Sequence, residues 1–221
     1  MNNKYRIHNF ARQANIDNLA LQLLSPLLRD FDYIPYTGSA LRPSALVSIV
    51  NDILINNRKN IIEFGCGIST LIITKLIKSN SLSVNFYSVE EDQEWQKFME
   101  KQLIKHDLQD YVKNFYAPII QVEGKAKWHS LNFINDLQKI DCMIVDGPKS
   151  FSNDLKLRRG YALKALKEKL DSRYSIFLDD CHRDGELQII KDWSNELKIP
   201  YQIYYQHLGV IFSGQFYNVY I

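Results

Sequence analysis

The sequence has few of the residues that stabilise small proteins through covalent or metal cross-links. Its 221 residues include three cysteines, Cys66, Cys142 and Cys181, which are far apart and form no C-x-x-C pair. An odd number of scattered cysteines argues against a disulfide framework and is typical of buried thiols in a reducing compartment. A chain of this length buries roughly 70% of its unfolded surface, so it needs no cross-links to fold.

Long apolar runs and a strong charge bias are also missing. No stretch approaches the roughly 18 uninterrupted apolar residues of a membrane-spanning helix, and residues 1–6 lack the apolar run of a signal peptide. These features predict a cytoplasmic protein with no membrane partner. The net charge is only +2, which argues against a nucleic-acid partner, because such proteins carry a strongly basic face.

The N-terminal part of the chain predicts two helices joined by a loop. Residues 15–30 have a helical pattern, with Pro26 predicting a break or kink. Five leucines share the predicted apolar face: Leu19, Leu23, Leu24, Leu27 and Leu28. Residues 33–42 contain proline and glycine and predict a loop, and Pro43 suits the first turn of the second helix. We expect residues 1–42 to form a helical extension that closes as a lid over the rest of the chain.

From residue 60 onward, short apolar runs alternate with helical patterns. Strands are predicted at 60–64, 84–89, 140–145 and 174–178, with a further strand contained within 112–120, and helices are predicted at 69–78, 93–105, 153–170 and 185–197. This alternation predicts a mostly parallel α/β sheet with helices on both faces, within a domain at 43–221. Three strand-like segments follow at 201–205, 210–212 and 216–221. The turns between them are too short for a parallel crossover, so at least one terminal pair must be antiparallel.

Acids or a glycine turn follow four of the predicted strands. The four sequences are Gly65-Cys66-Gly67, then acids from Glu90, then Asp146, and then Asp179-Asp180. Acids are common in solvated loops, so each signal is weak when taken alone. In open α/β sheets, however, ligands bind outside the carboxyl ends of the strands. Four such ends along one edge predict a ligand site there.

The glycine turn carries the strongest of these signals. Gly65 and Gly67 allow a tight turn and close backbone approach to a ligand, and the helix beginning near Ser69 offers free N–H groups to an anion. A dinucleotide fingerprint needs a third glycine where this chain has Thr70, which argues against NAD or FAD. Glu90, about 20 residues further on, suits a ribose with two free hydroxyls. The alternative is a helix-capping turn beside an ordinary surface acid.

These residues resemble a known family. Glu63-x-Gly65-x-Gly67 after the first strand, and Glu90 ending the second, are similar to the class I S-adenosylmethionine-dependent methyltransferases over roughly residues 43–213. The resemblance implies a Rossmann-like, doubly wound and mostly parallel seven-stranded sheet with an antiparallel C-terminal strand. It also implies S-adenosylmethionine as the cofactor, and this cofactor-binding set: Glu63, Gly65, Cys66, Gly67, Ser69, Thr70, Glu90 and Asp146.

The resemblance further implies where each part of the cofactor lies. The turn at residues 65–67 would pass under the methionine part, and Glu63 would order that turn or the cofactor amine. Glu90 would bind the ribose hydroxyls, and Asp146 would lie beside the methyl-transfer centre. Ala117 and Pro118 would flank the adenine. Trp95 is either a core residue or a neighbour of the adenine.

A narrower resemblance concerns metal-dependent O-methyltransferases of the catechol and macrocin types. It implies a divalent ion, Mg²⁺, held by Asp146, Asp179 and Asp180, with Lys149 as a candidate base; Asp180 stands where the catechol type has asparagine. His182 is a second candidate base, although a histidine at a helix start is more often a surface or capping residue. The alternative is that the aspartate pair only caps the next helix.

The methyl acceptor is the least determined part of the prediction. Enzymes that methylate exocyclic amines of bases, or glutamine, carry Asn/Asp-Pro-Pro-Tyr where this chain has Asp-Gly-Pro-Lys at 146–149. We therefore expect O-methylation of a small-molecule or sugar hydroxyl. Tyr33, Tyr36 and Trp128 are candidates for an acceptor pocket. The basic run Lys156, Arg158 and Arg159 predicts a solvated helix face, with phosphate or nucleic-acid contact as the alternative.

Two other functions stay open at this point. One is a different enzyme on the same fold, such as an aminopropyl transferase or a nucleotide-sugar enzyme. The other is a catalytically silent cofactor-binding module, because a fold does not guarantee an activity. The oligomeric state is also open, with a homodimer as one arrangement.

Overall fold

The computed structural model describes residues 3–124, 126–150 and 155–221. Within these ranges the helices are α1 (Asn3–Leu28), α2 (Pro43–Ile55), α3 (Ile68–Ser79), α4 (Gln93–Lys105), α5 (Tyr161–Leu166) and α6 (Asp184–Leu197). The strands are β1 (Asn60–Phe64), β2 (Asn85–Glu90), β3 (Lys113–Tyr116), β4 (Ile119–Glu123), β5 (Ala126–His129), β6 (Ile140–Val145), β7 (Leu170–Leu178), β8 (Tyr201–Tyr204) and β9 (Leu208–Phe212).

Seven of these strands form one sheet, in the order β3-β2-β1-β6-β7-β9-β8. The pairings among β3, β2, β1, β6 and β7 are parallel, whereas β9 runs antiparallel to both of its neighbours. The predicted doubly wound, mostly parallel sheet with an antiparallel C-terminal strand is confirmed. The strand order reverses between β1 and β6, and such a switch point opens a crevice at the carboxyl ends of the strands.

The sheet separates two hydrophobic cores. Successive residues of a strand point to opposite faces, so Ile61 packs in the core with α1 to α4 and Ile62 packs in the other core. The second core is formed with α5, α6 and the β4–β5 hairpin. Because both faces are covered, β6 is buried at every position, and its sequence is an almost continuous apolar run. Cys66, Cys142 and Cys181 are all buried, as expected, and each has a free thiol rather than a disulfide.

The N-terminal helix differs from its prediction in three ways. It begins at Asn3 and continues through Pro26 without a break. The proline lies in the last turn of the helix, two residues before its end. The buried apolar residues among its described side chains are Ala20, Leu24 and Leu27, while Leu19 and Leu23 are about half exposed, at 48% and 51%. In a run this rich in leucine, several faces are apolar, and packing against α2 selects one of them.

The predicted helix at 153–170 is also wrong over its described part. Its start lies outside the described residues. The rest is a 3-10 turn at Arg158–Gly160, the short helix α5, and a second 3-10 turn at Lys167–Lys169. Gly160 weakens a continuous helix by about 1 kcal/mol relative to alanine, and the turn before it places Arg159 in the protein interior.

The third strand expected within 112–120 is present as β3, and it ends before Pro118, which lacks the N–H that a continuing ladder needs. The strand predicted at 216–221 is wrong. Side chains of α2 and of the residue after it bond to this backbone instead: Tyr217 N donates to Asn56 Oδ1 at 2.6 Å, and Asn51 Nδ2 donates to Val219 O at 3.3 Å. The hairpin strand β5 was not predicted.

The extension at 1–42 contributes to the first core through α1 and Leu41, so it packs as part of the same body. The division at residue 42 stays a prediction. Among the helices of the described residues, none has the combination of length and apolar character needed to cross a bilayer.

A buried ion pair joins the end of α2 to the sheet and generates a stability prediction. Arg58 Nε lies 2.9 Å from Asp52 Oδ2, and Ser175 Oγ on β7 donates to the same oxygen at 2.5 Å. Arg58→Met should lower the free energy of unfolding by about 3–5 kcal/mol, because Asp52 is left buried without its cation. Urea denaturation should show a loss of at most about 1 kcal/mol for the control Lys105→Met, whose pair with Asp32 is exposed. Equal losses would contradict the assignment.

Candidate functional site

A cavity of about 370 Å³ opens at the carboxyl ends of β1, β2, β6 and β7. Its walls are the loops after these four strands, and residues 35 and 37–41 of the loop between α1 and α2 lie against it. Of the twelve residues predicted to bind cofactor or metal or to act as a base, nine line it: Gly65, Cys66, Gly67, Ser69, Glu90, Asp146, Lys149, Asp179 and Asp180. Glu63 and Thr70 are fully buried next to this wall, and His182 is exposed outside it.

The two glycines of the first turn have different roles. Gly65 has φ +93°, and a Cβ there would lie 2.8 Å from the backbone nitrogen of Gly147 in the loop after β6. Both loops are held in this position by the sheet, since Gly147 N donates to Phe64 O at 2.7 Å. Only glycine fits such a contact at either position. Gly67, by contrast, has an extended backbone, and a Cβ there would meet no atom within 4 Å. Its missing side chain leaves open space where a ligand can approach.

Glu63 holds the glycine turn from below. Thr70 Oγ1 donates to Glu63 Oε2 at 2.6 Å and accepts from Gly67 N at 2.9 Å. Ser88 Oγ donates to the same Glu63 oxygen at 3.0 Å, while Glu63 Oε1 has no hydrogen-bond partner among the described residues. Burial raises the pKa of Glu63 to about 7. Thr70, which stands in place of a third glycine, therefore links Glu63 to the turn.

Glu90 is fixed at the wall of the cavity by two backbone N–H groups. Its Oε2 accepts from Cys66 N at 3.0 Å and its Oε1 accepts from Asp92 N at 2.8 Å. Burial, followed by the charge of Glu91, raises the pKa of Glu90 to about 7. Each carboxylate oxygen has a second lone pair, so Glu90 can still accept hydrogen bonds from ligand hydroxyls.

The aromatic candidates fall into two groups. Trp95 lines the cavity, and its Nε1 donates to Cys66 O at 2.8 Å, so it is a wall residue rather than a core residue. The prediction that Trp128 lines an acceptor pocket is wrong. Trp128 is fully buried in the second core, with its ring centroid 5.1 Å from that of Phe64. Tyr36 donates its hydroxyl to Leu41 O at 2.5 Å and stabilises the loop over the cavity, whereas Tyr33 is 76% exposed. Neither tyrosine is among the described residues that line the cavity.

Ala117 and Pro118, the residues expected beside the adenine, are also not among the described residues that line the cavity. Ala117 is buried, and its carbonyl oxygen forms a hydrogen bond with His129 Nδ1 at 3.0 Å, on the hairpin strand β5. The predicted adenine contact at this position therefore has no support in the cavity wall.

The three aspartates converge, as the sequence predicted. One carboxylate oxygen from each of Asp146, Asp179 and Asp180 lies within 4.8 Å of the other two. Asp180 has φ +64°, a left-handed conformation that aspartate tolerates better than most residues. Burial and the charge of Asp179 raise the pKa of Asp146 well above its usual range, and Arg159 acts in the opposite direction.

Basic partners of this acid cluster were missed in the sequence. Arg159 was expected on a solvated helix face, but its side chain is only 3% exposed, and its Nη1 lies 3.1 Å from Asp180 Oδ2. Arg183 Nη1 lies 2.8 Å from the same oxygen, and His207 Nδ1 lies 3.1 Å from Asp179 Oδ1. Arg183 is only three residues from Asp180, but no local pattern identifies Arg159 or His207 as a partner. The only available signal was that three clustered carboxylates require countercharge.

The two candidate bases are placed differently. Lys149 lines the cavity, but its Nζ lies 3.9 Å from Asp92 Oδ2, on the side of β2. His182 is exposed in the turn before α6 and is not among the described residues that line the cavity. The catalytic roles of both residues stay predictions.

Comparison with known proteins defines the fold. No family model and no curated protein matches the chain. Solved structures do match it, and they show that the architecture is the class I methyltransferase fold. The methyltransferase PaMTH1 of Podospora anserina, solved with SAH bound, is 14% identical, with a TM-score of 0.61 and 97% of each chain covered.

Two further solved structures share this fold. Precorrin-6y C5,15-methyltransferase of Geobacter metallireducens is 12% identical, with a TM-score of 0.57 over 84% of this chain and 95% of that chain. A SAM-dependent O-methyltransferase of Thermotoga maritima is 14% identical, with a TM-score of 0.53 over 88% of this chain and 72% of that chain. The predicted fold class is confirmed.

The buried Glu63 generates a prediction about pH. Its pKa is about 7 in the folded protein, against an ordinary value of 4.5. Between these values the folded protein keeps a proton that the unfolded chain loses, so stability should fall as pH rises from about 4.5 to 7 and then level off. Glu63→Gln keeps an acceptor oxygen and should remove roughly 3 kcal/mol of this fall. Glu90 contributes a slope of the same sign, so the slope should shrink but persist.

The measurement is urea unfolding at pH 5, 6, 7 and 8. Glu94→Gln is the matched control, because the Glu94 side chain is 83% exposed. If Glu63→Gln and Glu94→Gln give the same pH dependence as the parent, Glu63 does not titrate in this range.

Proposed function

We propose that this protein transfers a methyl group from S-adenosylmethionine to a hydroxyl of a small molecule or sugar. The observation that carries the proposal is that two features suited to this cofactor lie in one cavity. Glu90 presents a fixed carboxylate at its wall, and Gly67 leaves open space beside it. The fold supports the same choice, since the solved structures that share it include an SAH-bound methyltransferase and an O-methyltransferase.

The residues around the cavity fit this cofactor. Glu90 would bind the ribose hydroxyls, as an acid at the end of the second strand does in nucleotide-binding sheets. The extended backbone at Gly67 would lie against the methionine part, and Glu63, through Thr70, would keep the turn in place. Free N–H groups at the start of α3, near Ser69, would bind the cofactor carboxylate. The indole of Trp95 offers a flat apolar surface in the same wall.

The acid cluster would form the acceptor end of the site. S-adenosylmethionine supplies a sulfonium methyl group that an oxygen nucleophile can attack. Asp146 is the candidate general base, because it lines the cavity and because burial and the charge of Asp179 raise its pKa, which makes its carboxylate a stronger base. Lys149 and His182 are the alternative bases, and of these only Lys149 lines the cavity.

A divalent ion such as Mg²⁺ is part of this proposal as an option. Asp146, Asp179 and Asp180 would hold it, since hard cations prefer carboxylate oxygens and the three groups have a suitable spacing. When bound, such an ion lowers the pKa of a coordinated hydroxyl and orients it. The resident guanidinium of Arg159 competes for the same oxygens.

Cofactor binding is the first test. Isothermal titration calorimetry should show S-adenosylmethionine and S-adenosylhomocysteine binding in the micromolar range or tighter. Glu90→Ala should weaken binding by roughly 1.5–3 kcal/mol, because it removes a charged hydrogen-bond acceptor. The control Glu94→Ala, at an exposed position of α4, should bind like the parent.

Two outcomes would redirect the proposal. No detectable binding at millimolar ligand, with protein shown to be folded by circular dichroism, would remove S-adenosylmethionine as the cofactor. Binding without any conversion to S-adenosylhomocysteine across a panel of hydroxyl acceptors would favour a silent binding module. Selective binding of decarboxylated S-adenosylmethionine or of a nucleotide sugar would favour another enzyme on this fold.

The loop between α1 and α2 generates a second prediction. Residues 35 and 37–41 lie against the cavity, and Arg42 at the end of this loop and Ser44 in the first turn of α2 bind the α1 residue Asp17. We expect residues 33–44 to close over bound cofactor as a lid. Amide hydrogen exchange in this loop should then slow when S-adenosylhomocysteine is added, while exchange in α6 should not change. Equal exchange in the loop with and without ligand would argue against a lid.

A further inference from the structure

Each carboxylate of the acid cluster, formed by Asp146, Asp179 and Asp180, has at least one side-chain partner in the protein. Asp179 is bonded to His207, and Asp180 lies within 3.1 Å of both Arg159 and Arg183. Asp146 lies 3.6 Å from Arg159, measured from Oδ1 to Nη2. Clustered carboxylates repel one another unless charge nearby neutralises them. In this chain, the guanidinium groups of Arg159 and Arg183 supply positive charge beside Asp146 and Asp180, and His207 gives Asp179 a hydrogen-bond partner.

Arg159 is the central member of this arrangement, because it contacts two of the three aspartates. Its guanidinium is also held by the backbone of the loop after β6: Nε donates to Pro148 O at 3.2 Å, and Nη2 donates to Asp146 O. A second buried acid, Glu186, lies 4.0 Å from Nη1. A planar guanidinium with several fixed donors is well suited to join carboxylates in this way.

The position of Arg159 bears directly on cation binding. One oxygen of Asp180, Oδ2, is already paired with both Arg159 and Arg183. A divalent ion needs direct bonds to the oxygens of Asp146 and Asp180, and it would have to displace the guanidinium, which is buried and cannot easily move to solvent. Two positive charges would otherwise share one small site, which is electrostatically unfavourable.

We propose that Arg159 is the built-in countercharge of the acid cluster, a positioning residue that fixes Asp146 and Asp180 and competes with divalent cations for their oxygens. The site then keeps its geometry without a metal ion, and the identity of residue 159 sets its affinity for divalent cations. The meaning of this inference for methyl transfer rests on the proposed function. The cation affinity itself depends only on the residues of the cluster.

The test is titration of Mn²⁺ alone into the full chain, followed by electron paramagnetic resonance of the free ion. The parent should bind weakly, with no saturable site below about 1 mM. Arg159→Met removes the guanidinium at similar side-chain length and should tighten Mn²⁺ binding at least tenfold. Arg158→Met, at the partly exposed neighbouring position, is the matched control and should bind like the parent.

Arg159→Lys is the second variant, for the case in which Arg159→Met does not fold. A lysine keeps the charge but cannot reach both aspartates with a planar fork, so Mn²⁺ binding should tighten about threefold or more. A general loss of structure would weaken binding, so a selective gain is not explained by a purely structural role. Tight micromolar Mn²⁺ binding by the parent, or unchanged affinity in the folded Arg159 variants, would overturn the proposal.

The titration is performed without S-adenosylmethionine, so its result is independent of the cofactor experiment. If calorimetry shows no cofactor binding but Arg159→Met gains a Mn²⁺ site, the proposed function fails and the countercharge role stands. If cofactor binds and the Arg159 variants do not change Mn²⁺ affinity, the proposed function stands and the countercharge role fails.

Discussion

The backbone contact between Gly65 and Gly147 is the constraint on which the whole site depends. These residues lie in the loops after β1 and β6, the two strands between which the sheet order reverses, and any Cβ on either residue would lie 2.8 Å from the backbone of the other. Because the two loops touch, the glycine turn and the acid cluster lie side by side in one cavity. The same contact brings Asp146 N and Gly147 N to within 3.0 Å and 2.7 Å of Phe64 O, so the first acid of the cluster starts from a fixed position.

Buried charge is the second theme of the cavity. Glu63 and Glu90 are carboxylates whose pKa values are raised by burial, and both are held by hydrogen bonds that keep the glycine turn in place. The aspartates of the acid cluster are held differently, because the side chains of Arg159, Arg183 and His207 contact them directly. Burying a charge without a partner is costly, so these partners are as much a part of the site as the acids. The cavity therefore combines a polar wall around Glu90 and the glycine turn with an acid cluster that has basic partners.

Much of the fold followed from periodicity and turn chemistry. The strand at 60–64 and the helix at 93–105 were predicted with the bounds that the structure has, since each is a strong apolar pattern ended by a glycine or a capping acid. The errors occurred where tertiary contacts overrule local pattern. The leucine-rich α1 buries a different face, and the segment at 216–221 bonds to α2 side chains instead of to a strand. Trp128, which was expected to line an acceptor pocket, lies in the core. Arg159, which was expected on a solvated helix face, lines the cavity beside Asp180.

The sequence by itself determined the fold class and the four strand ends that meet at the cavity, because alternation and strand-end residues are local properties that a parallel sheet converts into one shared edge. Only the tertiary structure decided which side chains pair with the aspartates. His207 is 28 residues from Asp179, and Arg159 and Asp180 are 21 residues apart. No spacing rule connects such pairs, because they meet only after the sheet has formed and the loops after β6 and β7 have packed together. Charge balance in a buried site is a property of the folded chain, and the sequence shows only that it is required.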